Sequence, residues 1–316
     1  MICQFITEEE ASMIDYSACR LCPHMCQVDR TITKGFCGCG PRIKAARAAL
    51  HMWEEPCISG KRGSGTIFFS GCTLRCCFCQ NYTISSEGYG TEISENRLAD
   101  IFLELEEKGA HNINLVSPTP YIPSILHALD QVKHRLSIPI VFNCGGYEQI
   151  ETLDLLKGYV DIYLPDFKYF SPELSLKYSK AADYFSAASK AIPAMISQTG
   201  SPVMEEDPNS HCLLMKRGVI IRHLVLPGQK EDSKKLLDWI AGNLPKDSFF
   251  ISLLSQYTPF HRSKEFPEIN RRITTYEYNQ VLDHAIALGL DQGFMQEKSS
   301  AKEEYTPPFN LEGILP

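Results

Sequence analysis

Four cysteines lie within eight residues of the stretch GCTLRCCFCQNY, residues 71–82: Cys72, Cys76, Cys77 and Cys79. Three of them are spaced C-x3-C-x2-C, and neighbours this close rarely reach the geometry of a disulfide. A zinc knuckle usually presents C-x2-C pairs and closes with four ligands. Three thiolates from one loop leave a position without a local protein ligand, which indicates a [4Fe–4S] cluster whose fourth iron binds a small molecule. The alternative is a set of reduced cysteines packed in an apolar core.

A second group of cysteines lies nearer the N-terminus, and consists of Cys19, Cys22, Cys26, Cys37 and Cys39. The surrounding sequence is short and interrupted by glycine, with too little apolar content to fold on its own side chains. A bound metal would compensate for the missing core. Four ligands suffice for a zinc or an iron–sulfur site of structural or electron-relay role. We expect the ligands to be Cys19, Cys22, Cys26 and Cys37, and unliganded thiols are the alternative.

Composition excludes several classes of partner. The 316 residues carry 31 Lys and Arg against 38 Asp and Glu, a net charge of −7, so no domain-wide basic surface is present to bind nucleic acid. No apolar run approaches the ~20 residues that cross a bilayer, and the N-terminal residues lack the basic start and apolar segment of a signal peptide. We therefore expect a cytoplasmic protein without a membrane partner, in which the thirteen cysteines are reduced.

The remaining pattern must position these thiols. Short runs rich in Ile, Val and Phe predict buried strands, and the stretches between them predict amphipathic helices, one of them capped at Ser94. About six strand–helix units predict an α/β fold with a parallel sheet, a partial (β/α)6-type barrel with a small Cys-rich N-terminal cap. The strand runs are residues 66–70, 112–116, 138–143, 160–165, 219–226 and 248–254.

The chain divides into three parts on this interpretation. Residues 1–60 form the Cys-rich N-terminal module, residues 61–296 the barrel, and residues 297–316 a C-terminal tail that docks through Phe309 and Leu311. Ligands of such barrels bind at the carboxyl ends of the strands. The first cysteine loop directly follows the first strand of the barrel, so it is expected at that end.

The cysteine loop resembles that of the radical S-adenosylmethionine (radical SAM) superfamily. The segments HMWEEPCISGKRGSGTIFFSGC, KGAHNINLVSPTPYIPSIL, VDIYLPDFKY and IRHLVLPG resemble its pyruvate formate-lyase-activating-enzyme-like branch, and in particular largely uncharacterised relatives with an N-terminal cysteine cluster. The resemblance covers roughly residues 19–296. It implies that Cys72, Cys76 and Cys79 hold a [4Fe–4S] cluster, and that S-adenosylmethionine (SAM) binds the fourth iron. Reductive cleavage of SAM would give a 5′-deoxyadenosyl radical that abstracts hydrogen from a substrate.

The resemblance also indicates candidates for the SAM pocket. In related activating enzymes a Gly-Gly-Glu element holds the SAM amino group, and this sequence has Ser117-Pro-Thr119 there instead. Asp166-x-Lys168 matches a family element near the SAM carboxylate, and Arg222 matches a position at the SAM pocket. The full set of predicted cofactor-binding residues is Asn81, Tyr82, Ser117, Thr119, Asn143, Asp166, Lys168 and Arg222.

Several questions of role stay open in the sequence. Cys57 is a candidate thiol hydrogen donor or extra ligand, with an ordinary buried cysteine as the alternative. An external donor of the reduced flavodoxin or ferredoxin type is the expected source of electrons. The substrate is either the glycine of a partner protein or a small molecule. Two further hypotheses about the function stay open. The protein is a non-enzymatic metal-binding or redox-sensing protein, or it is a scaffold that binds SAM without cleaving it.

Overall fold

A mostly parallel sheet forms the centre of the molecule. The computed structural model describes residues 16–295 and 306–315. Within them the strands are β1 (Lys44–His51), β2 (Ser64–Phe69), β3 (Thr91–Glu92), β4 (Ile113–Val116), β5 (Ile140–Cys144), β6 (Ile162–Pro165), β7 (Val203–Glu206), β8 (Leu213–Leu224), β9 (Phe250–Leu254) and β10 (Gly293–Met295). Their order is β10-β9-β8-β6-β5-β4-β2-β1-β3, and β7 pairs with β8.

The run from β2 to β10 is parallel throughout, whereas β1 and β7 pair antiparallel with their neighbours. All six predicted strands are present in this run, so that prediction is confirmed. β2, β4, β5 and β6 are buried at every position. Burial on both faces explains why their sequences read as continuous apolar runs rather than as alternating ones.

Helices fill the crossovers between successive parallel strands. They are α1 (Pro56–Ser59), α2 (Tyr82–Ser85), α3 (Glu95–Glu107), α4 (Ile122–Val132), α5 (Ile150–Leu155), α6 (Pro172–Ser179), α7 (Tyr184–Thr199), α8 (Lys230–Asn243) and α9 (Thr275–Ala287). Short 3-10 turns cover Tyr16–Ala18, Thr119–Tyr121 and Ser263–Glu265. The Ser94 side chain caps α3 by accepting a hydrogen bond from the Arg97 amide, as predicted. In the described part of the chain, no helix has the length and apolar character needed to span a bilayer.

Six strand–helix units follow from this order, counted from β2 to β9 with their crossover helices. One cavity is lined by residues from β2, β4, β5, β8, β9 and β10, so the sheet curves around it. The two ends of the described sheet, β10 and β3, do not pair with each other. The predicted α/β fold, a partial (β/α)6-type barrel, is therefore confirmed.

The sheet also recruits chain from both ends of the sequence. β1 lies inside the segment that the sequence assigns to the N-terminal module, and it pairs with β2 from Ala45 to His51. The C-terminal residues run beside β1, where the Leu311 amide donates to the Ala46 carbonyl and the Ala48 amide donates to Glu312. Phe309 packs against Phe68 of β2, with 5.5 Å between ring centroids. The start of the chain and residues 297–305 of the expected tail lie outside the described residues.

Candidate cofactor site

The three spaced cysteines lie in a buried loop at the carboxyl end of β2. The Ser179 hydroxyl donates to Cys76 Sγ at 3.0 Å, the Leu74 amide donates to Cys72 Sγ at 3.4 Å, and the Ser85 hydroxyl lies 3.3 Å from Cys79 Sγ. Gly71, at φ +86°, begins the loop, and a Cβ there would stand 2.2 Å from Cys39 Sγ. Only glycine fits this position, because the N-terminal segment packs directly against it.

Burial disfavours the charged form of these thiols. It raises the pKa of Cys72 to about 12 and that of Cys79 to about 11, and the neighbouring Cys76 adds to both shifts. Lys168 acts in the opposite direction on Cys72, Cys76 and Cys79. Three thiols that interact electrostatically in one loop therefore need a cation to become thiolates, and a bound metal centre would supply it.

Cys77 occupies a different environment from its neighbours. Its side chain is 4% exposed and belongs to the main apolar core. Its main-chain amide donates to the Tyr178 carbonyl, and its carbonyl accepts from the Arg262 amide. Two adjacent cysteines thus differ in role: Cys76 lines the cavity and Cys77 packs in the core.

A cavity of about 870 Å³ opens beside the loop. This volume lies in the upper part of the range that holds small-molecule ligands. Cys76 and Cys79 form one wall, and polar side chains from the carboxyl ends of β5, β6 and β8 form another. Aromatic and apolar residues complete the lining, among them Trp53, Phe68, Phe78, Leu254 and Phe294.

Arg222 is the centre of a buried polar network in the cavity wall. Its Nε donates to Asp166 Oδ1 at 2.9 Å, its Nη2 to Asn143 Oδ1 at 2.5 Å, and its Nη1 to Glu54 Oε2 at 3.3 Å. Glu54 Oε1 also accepts from the amides of Asn114 and Asn143 at 3.1 and 3.2 Å. Charges and hydrogen bonds thus compensate one another where three strands end.

Lys168 extends this network toward the cysteines. Its Nζ donates to Asp166 Oδ2 at 2.6 Å, and it also interacts electrostatically with Cys76. Burial opposes the Asp166 charge, but Arg222 and Lys168 outweigh it and hold the Asp166 pKa below its usual value. Burial raises the pKa of Glu54, against the effect of Arg222. Asp166 is therefore a carboxylate with two cations, while Glu54 depends on one.

The predicted residues do not all reach the cavity. Asn81, Asn143, Asp166, Lys168 and Arg222 line it. Tyr82 instead stacks on His261, with 4.8 Å between ring centroids.

Ser117 and Thr119 do not line the cavity, so the structure gives their predicted contact with SAM no support. The Ser117 amide donates to the Asn143 carbonyl, with its own φ at +55°, and the Thr119 hydroxyl donates to Glu148 at 2.9 Å. The 3-10 turn at Thr119–Tyr121 directs the chain away from the cavity after β4.

Cys57 likewise packs away from the cavity. It lies in α1, is 4% exposed, and belongs to a cluster with Ile58, Val141, Ile162, Leu164, Met215 and Ile220. Burial, the largest effect, raises its pKa strongly, with Glu55 acting in the same direction. The structure therefore gives the predicted role as a hydrogen donor or extra ligand no support, because an apolar cluster encloses the thiol.

Some of the N-terminal cysteines interact with one another, and their segment lies beside the Cys72–Cys79 loop. The Phe36 amide donates to Cys26 Sγ at 3.5 Å, and Cys37 and Cys26 both interact with the Cys22 thiol. A hydrogen bond from Cys39 lowers the pKa of Cys37 to about 6, with help from Arg30. Among the described residues, no three His, Cys, Asp or Glu side chains converge on the position of a single metal ion.

This N-terminal segment packs on the Cys72–Cys79 loop through hydrogen bonds to main-chain carbonyls. Arg75 Nη2 donates to the Phe36 carbonyl at 2.5 Å, and the His24 ring lies 2.9 Å from the Thr73 carbonyl oxygen. The Cys39 thiol donates to the Ser70 carbonyl at 3.5 Å. The two cysteine groups are therefore neighbours across the loop.

Glu54 is the main site residue that sequence reasoning missed. It lies in the segment after β1 and is 60 residues from Asn114 and 168 from Arg222 in the chain. The available signal was the pair Glu54-Glu55 between apolar residues in HMWEEPCI. Both carboxyl groups are buried against the cavity.

The fold and the site together define a partial α/β barrel protein with three closely spaced thiols after β2 and a cavity beside two of them. A family model for the radical SAM superfamily matches residues 66–240, more than half of the 316 residues. An uncharacterised protein of Methanocaldococcus jannaschii, MJ0674, is 34% identical over 288 residues, which are 87% of this chain and 76% of the relative. The chain belongs to the radical SAM superfamily.

Other similarities are more distant. The pyruvate formate-lyase-activating enzyme of Listeria monocytogenes is 26% identical over 181 residues, 54% of this chain and 65% of that enzyme, which is just under two thirds of its length. The crystal structure of Streptococcus suis SuiB bound to S-adenosylmethionine matches this fold with a TM-score of 0.46. The match covers 72% of this chain and 45% of that one, with 13% sequence identity.

Membership of the superfamily implies a [4Fe–4S] cluster and SAM, and the site residues fit both. The donor set is three thiols from one loop, which suits a cluster with one iron left for a small ligand. The adjacent cavity offers both a cation, Lys168, and carboxylate and amide acceptors for a zwitterionic ligand. Cys72, Cys76 and Cys79 would hold the cluster, and Asn143, Asp166, Lys168 and Arg222 would face SAM.

Proposed function

We propose that this protein is a radical SAM enzyme that cleaves SAM reductively and abstracts hydrogen from a substrate in the cavity. The observation that carries the proposal is the position of Cys76 and Cys79 on one wall of the cavity that the Asp166–Lys168–Arg222 network also lines. When bound, the cluster and SAM supply the 5′-deoxyadenosyl radical, and an external donor of the reduced flavodoxin or ferredoxin type supplies the electron.

The chain's own residues bind, orient and exclude water. Lys168 is placed to pair with the ligand carboxylate, and Asp166 holds the Lys168 ammonium at 2.6 Å. Arg222 holds Asn143 and Asp166 in place through its hydrogen bonds to both. Because these groups are already paired, they lose little freedom when a ligand binds. The aromatic and apolar side chains that line the cavity would limit the access of water to a bound ligand.

Anaerobic reconstitution with iron and sulfide, followed by dithionite and SAM, tests the proposal. The parent should form 5′-deoxyadenosine, and Cys76→Ala should form none. Cys77→Ala is the matched control, because the adjacent thiol packs in the core. A Cys76→Ala protein that cleaves SAM as fast as the parent would show that the ligand assignment is wrong.

A non-enzymatic metal-binding or redox-sensing protein is the alternative function. It is favoured by the presence of a second cysteine group beside the first. The same assay separates the two functions, since a metal store retains iron but forms no 5′-deoxyadenosine.

For the substrate, we infer a glycine of a partner protein, which would become a glycyl radical. The support is the relative named pyruvate formate-lyase-activating enzyme. The test uses a host lysate from cells grown with deuterated amino acids, separated by ultrafiltration. Deuterium should enter 5′-deoxyadenosine with the protein fraction. Transfer from the small-molecule fraction alone would identify a small substrate. The lining of the cavity by residues 51–56, 59–60 and 306–307, which narrows its opening to large partners, would be a reason for that result.

For the N-terminal cysteines, we infer a second metal centre, iron–sulfur or zinc, held by Cys19, Cys22, Cys26 and Cys37. Its support is the approach of Cys22, Cys26 and Cys37 to one another, with Cys39 engaged by the Ser70 carbonyl. Truncation before residue 60 is unsuitable as a test, because it removes β1 from the sheet. Metal analysis of the full chain with Cys72, Cys76 and Cys79 replaced by Ala should still show bound metal.

A further inference from the structure

Glu55 carries a buried carboxyl oxygen without a hydrogen-bond partner. The residue is 8% exposed, and it lines the cavity of about 870 Å³. Among the described residues, no donor reaches its Oε2 atom. Buried polar atoms are normally hydrogen-bonded, and an exception inside a cavity is a place where a ligand can donate. Glu55 is therefore a candidate for binding a ligand through this oxygen.

The main chain holds Glu55 at the cavity wall. Its carbonyl accepts hydrogen bonds from the amides of Ile58 and Ser59, at 2.8 and 3.0 Å. The preceding Glu54 amide donates to the Ser59 hydroxyl at 2.9 Å. Pro56 follows as the first residue of α1 and restricts the backbone further. The position of the carboxyl group at the cavity is thus built into the fold.

The cations of the cavity wall are committed to other carboxylates. Arg222 pairs with Glu54 at 3.3 Å and with Asp166 at 2.9 Å. Lys168 pairs with Asp166 at 2.6 Å. In the part of the chain that the structure describes, the ion pairs do not include Glu55. A carboxylate taken out of water is costly unless an opposite charge lies beside it, so this group lacks a cation of its own.

The third basic side chain of the described lining does not supply that cation. It belongs to His51, and burial lowers its pKa to about 4, so the ring is neutral. Burial, the largest effect on Glu55, raises the pKa of its carboxyl, and Arg222 acts against this shift without an ion pair. The wall therefore holds one more carboxyl group than it holds cations.

Glu55 lies at the side of the cavity that β8, β9 and β10 form. Its helix, α1, packs beside β8, and a hydrogen bond with the Ser252 side chain of β9 favours its charged form. Ser252 pairs in register with Arg222 on one side and Phe294 on the other, and all three line the cavity. The cysteine loop follows β2, which four strands separate from β9. Glu55 and the cysteines thus occupy different sides of the cavity.

We propose that Glu55 binds a cationic nitrogen group of the substrate, an ammonium or a guanidinium, at the β8–β10 side of the cavity. The inference rests on the proposed radical SAM function and narrows its substrate class. An N–H donor on Oε2 would give that oxygen its partner and the carboxylate its cation, and hydrogen bonds between ions are the strong ones. Leu254 and Phe294 would contact the apolar chain that carries the group.

Binding of matched peptides tests this charge. The protein is the full chain, reconstituted anaerobically with iron and sulfide and saturated with SAM, without reductant. The probes are the pentapeptide Ala-Lys-Gly-Lys-Ala, blocked at both ends, and the same peptide with norleucine for lysine, which lacks only the ammonium groups. By titration calorimetry the parent should bind the lysine peptide about tenfold tighter, a difference of roughly 1.4 kcal/mol. Glu55→Gln should lose this preference. Glu151→Gln, at an exposed position on α5, is the control and should keep it.

The same titrations identify the source of the cationic group. n-Butylammonium carries the lysine group without a peptide. Binding of this amine as tight as that of the lysine peptide, with the same loss in Glu55→Gln, assigns the group to a free amine. Tighter binding of the peptide assigns it to a side chain of a partner protein. SAM also has an ammonium group, so its affinity is measured in the same variants without peptide. A loss of SAM affinity in Glu55→Gln as large as the loss for the lysine peptide would place SAM on Glu55 and overturn the proposal.

A melting experiment distinguishes binding from a structural role. Glu55→Gln removes a buried charge that lacks a cation, so the cofactor-free protein should melt at the same temperature as the parent or higher at pH 8. A lower melting temperature, together with equal losses of affinity for the two peptides, would show that Glu55 holds the fold rather than a cation.

The remaining outcomes are equally decisive. Equal affinity of the parent for the two peptides, or a preference that survives Glu55→Gln, overturns the role of Glu55. Neither result bears on the proposed function, which formation of 5′-deoxyadenosine with dithionite tests separately. A protein that binds SAM but forms no 5′-deoxyadenosine would refute radical chemistry, while the peptide preference would still decide whether Glu55 binds a cation.

Discussion

Replacing Arg222 by Met removes a cation that two buried carboxylates, Glu54 and Asp166, share. The two carboxylates depend on this cation to different degrees. The Arg222 side chain is 13% exposed and holds Glu54, Asp166 and Asn143 together. Breaking a buried ion pair from one side costs roughly 3–5 kcal/mol. An unfolding entropy of about 2.1 cal/mol/K per residue gives about 1.5 °C of melting temperature per kcal/mol for a chain of 316 residues, so we expect a loss of about 5–8 °C.

The structure also predicts which second change repairs the loss. After Arg222→Met, Asp166 keeps Lys168 at 2.6 Å, whereas Glu54 keeps only the amides of Asn114 and Asn143. Glu54→Gln should therefore recover about 1–2 kcal/mol in the Arg222→Met background, and Asp166→Asn should recover less. The assay is thermal unfolding of the cofactor-free proteins under reducing conditions, followed by circular dichroism.

The pH dependence of this loss has a definite sign. Burial already raises the Glu54 pKa, and removal of Arg222 raises it further. A carboxyl with a raised folded-state pKa contributes stability that is present below its unfolded pKa and is lost as pH rises through the folded value. The deficit of Arg222→Met should therefore shrink as pH falls toward 5. Arg217→Met, at an exposed position on the same strand, is the control. Equal recovery by the Glu54 and Asp166 changes would refute this account of the network.

Two other changes test separate parts of the molecule. Lys168→Met should weaken SAM binding to the reconstituted protein by about tenfold or more, with iron content unchanged, because the cation at the cavity wall is lost. Lys190→Met, at an exposed position on α7, should bind SAM normally; equal weakening by both changes would contradict the assignment. Burial raises the Glu148 pKa to about 8, so stability should fall as pH rises from about 5 through 8. Glu148→Gln should reduce this fall in the free energy of unfolding by at most about 5 kcal/mol, when unfolding is measured at each pH. An unchanged pH dependence would show that Glu148 is not its source.

Local sequence was sufficient for six strands of the parallel run and for the spacing of the cysteines in the loop after β2. Parallel strands buried on both faces must be apolar throughout, so the six strand runs stood out from the helices between them. Asp166 and Lys168 are two residues apart at a strand end, so their side chains leave on the same side and meet at 2.6 Å. The sequence did not reveal β1 and β10, which are an antiparallel neighbour and a three-residue edge strand with little apolar pattern.

Positions at strand ends were less certain, because the turn after a strand decides where the next side chain points. Thr119 follows β4 directly, but a 3-10 turn takes its hydroxyl to Glu148 instead of the cavity. Cys57 lies beside residues that line the cavity, yet α1 directs its thiol into an apolar cluster. Neither turn geometry nor the face of a four-residue helix is encoded by residue type alone.

The sequence by itself determined which thiols are the candidate metal ligands, because C-x3-C-x2-C places three thiols within one short loop whatever the rest of the molecule does. Only the tertiary structure decided what surrounds them. Glu54 reaches Arg222 across 168 residues because β1 pairs antiparallel with β2 and the following segment lines the barrel. Arg30 likewise becomes a buried cation only when the N-terminal segment packs on the turn at Pro120. Glu54 and Arg222 meet because a charge that is taken out of water is stabilised by an opposite charge beside it.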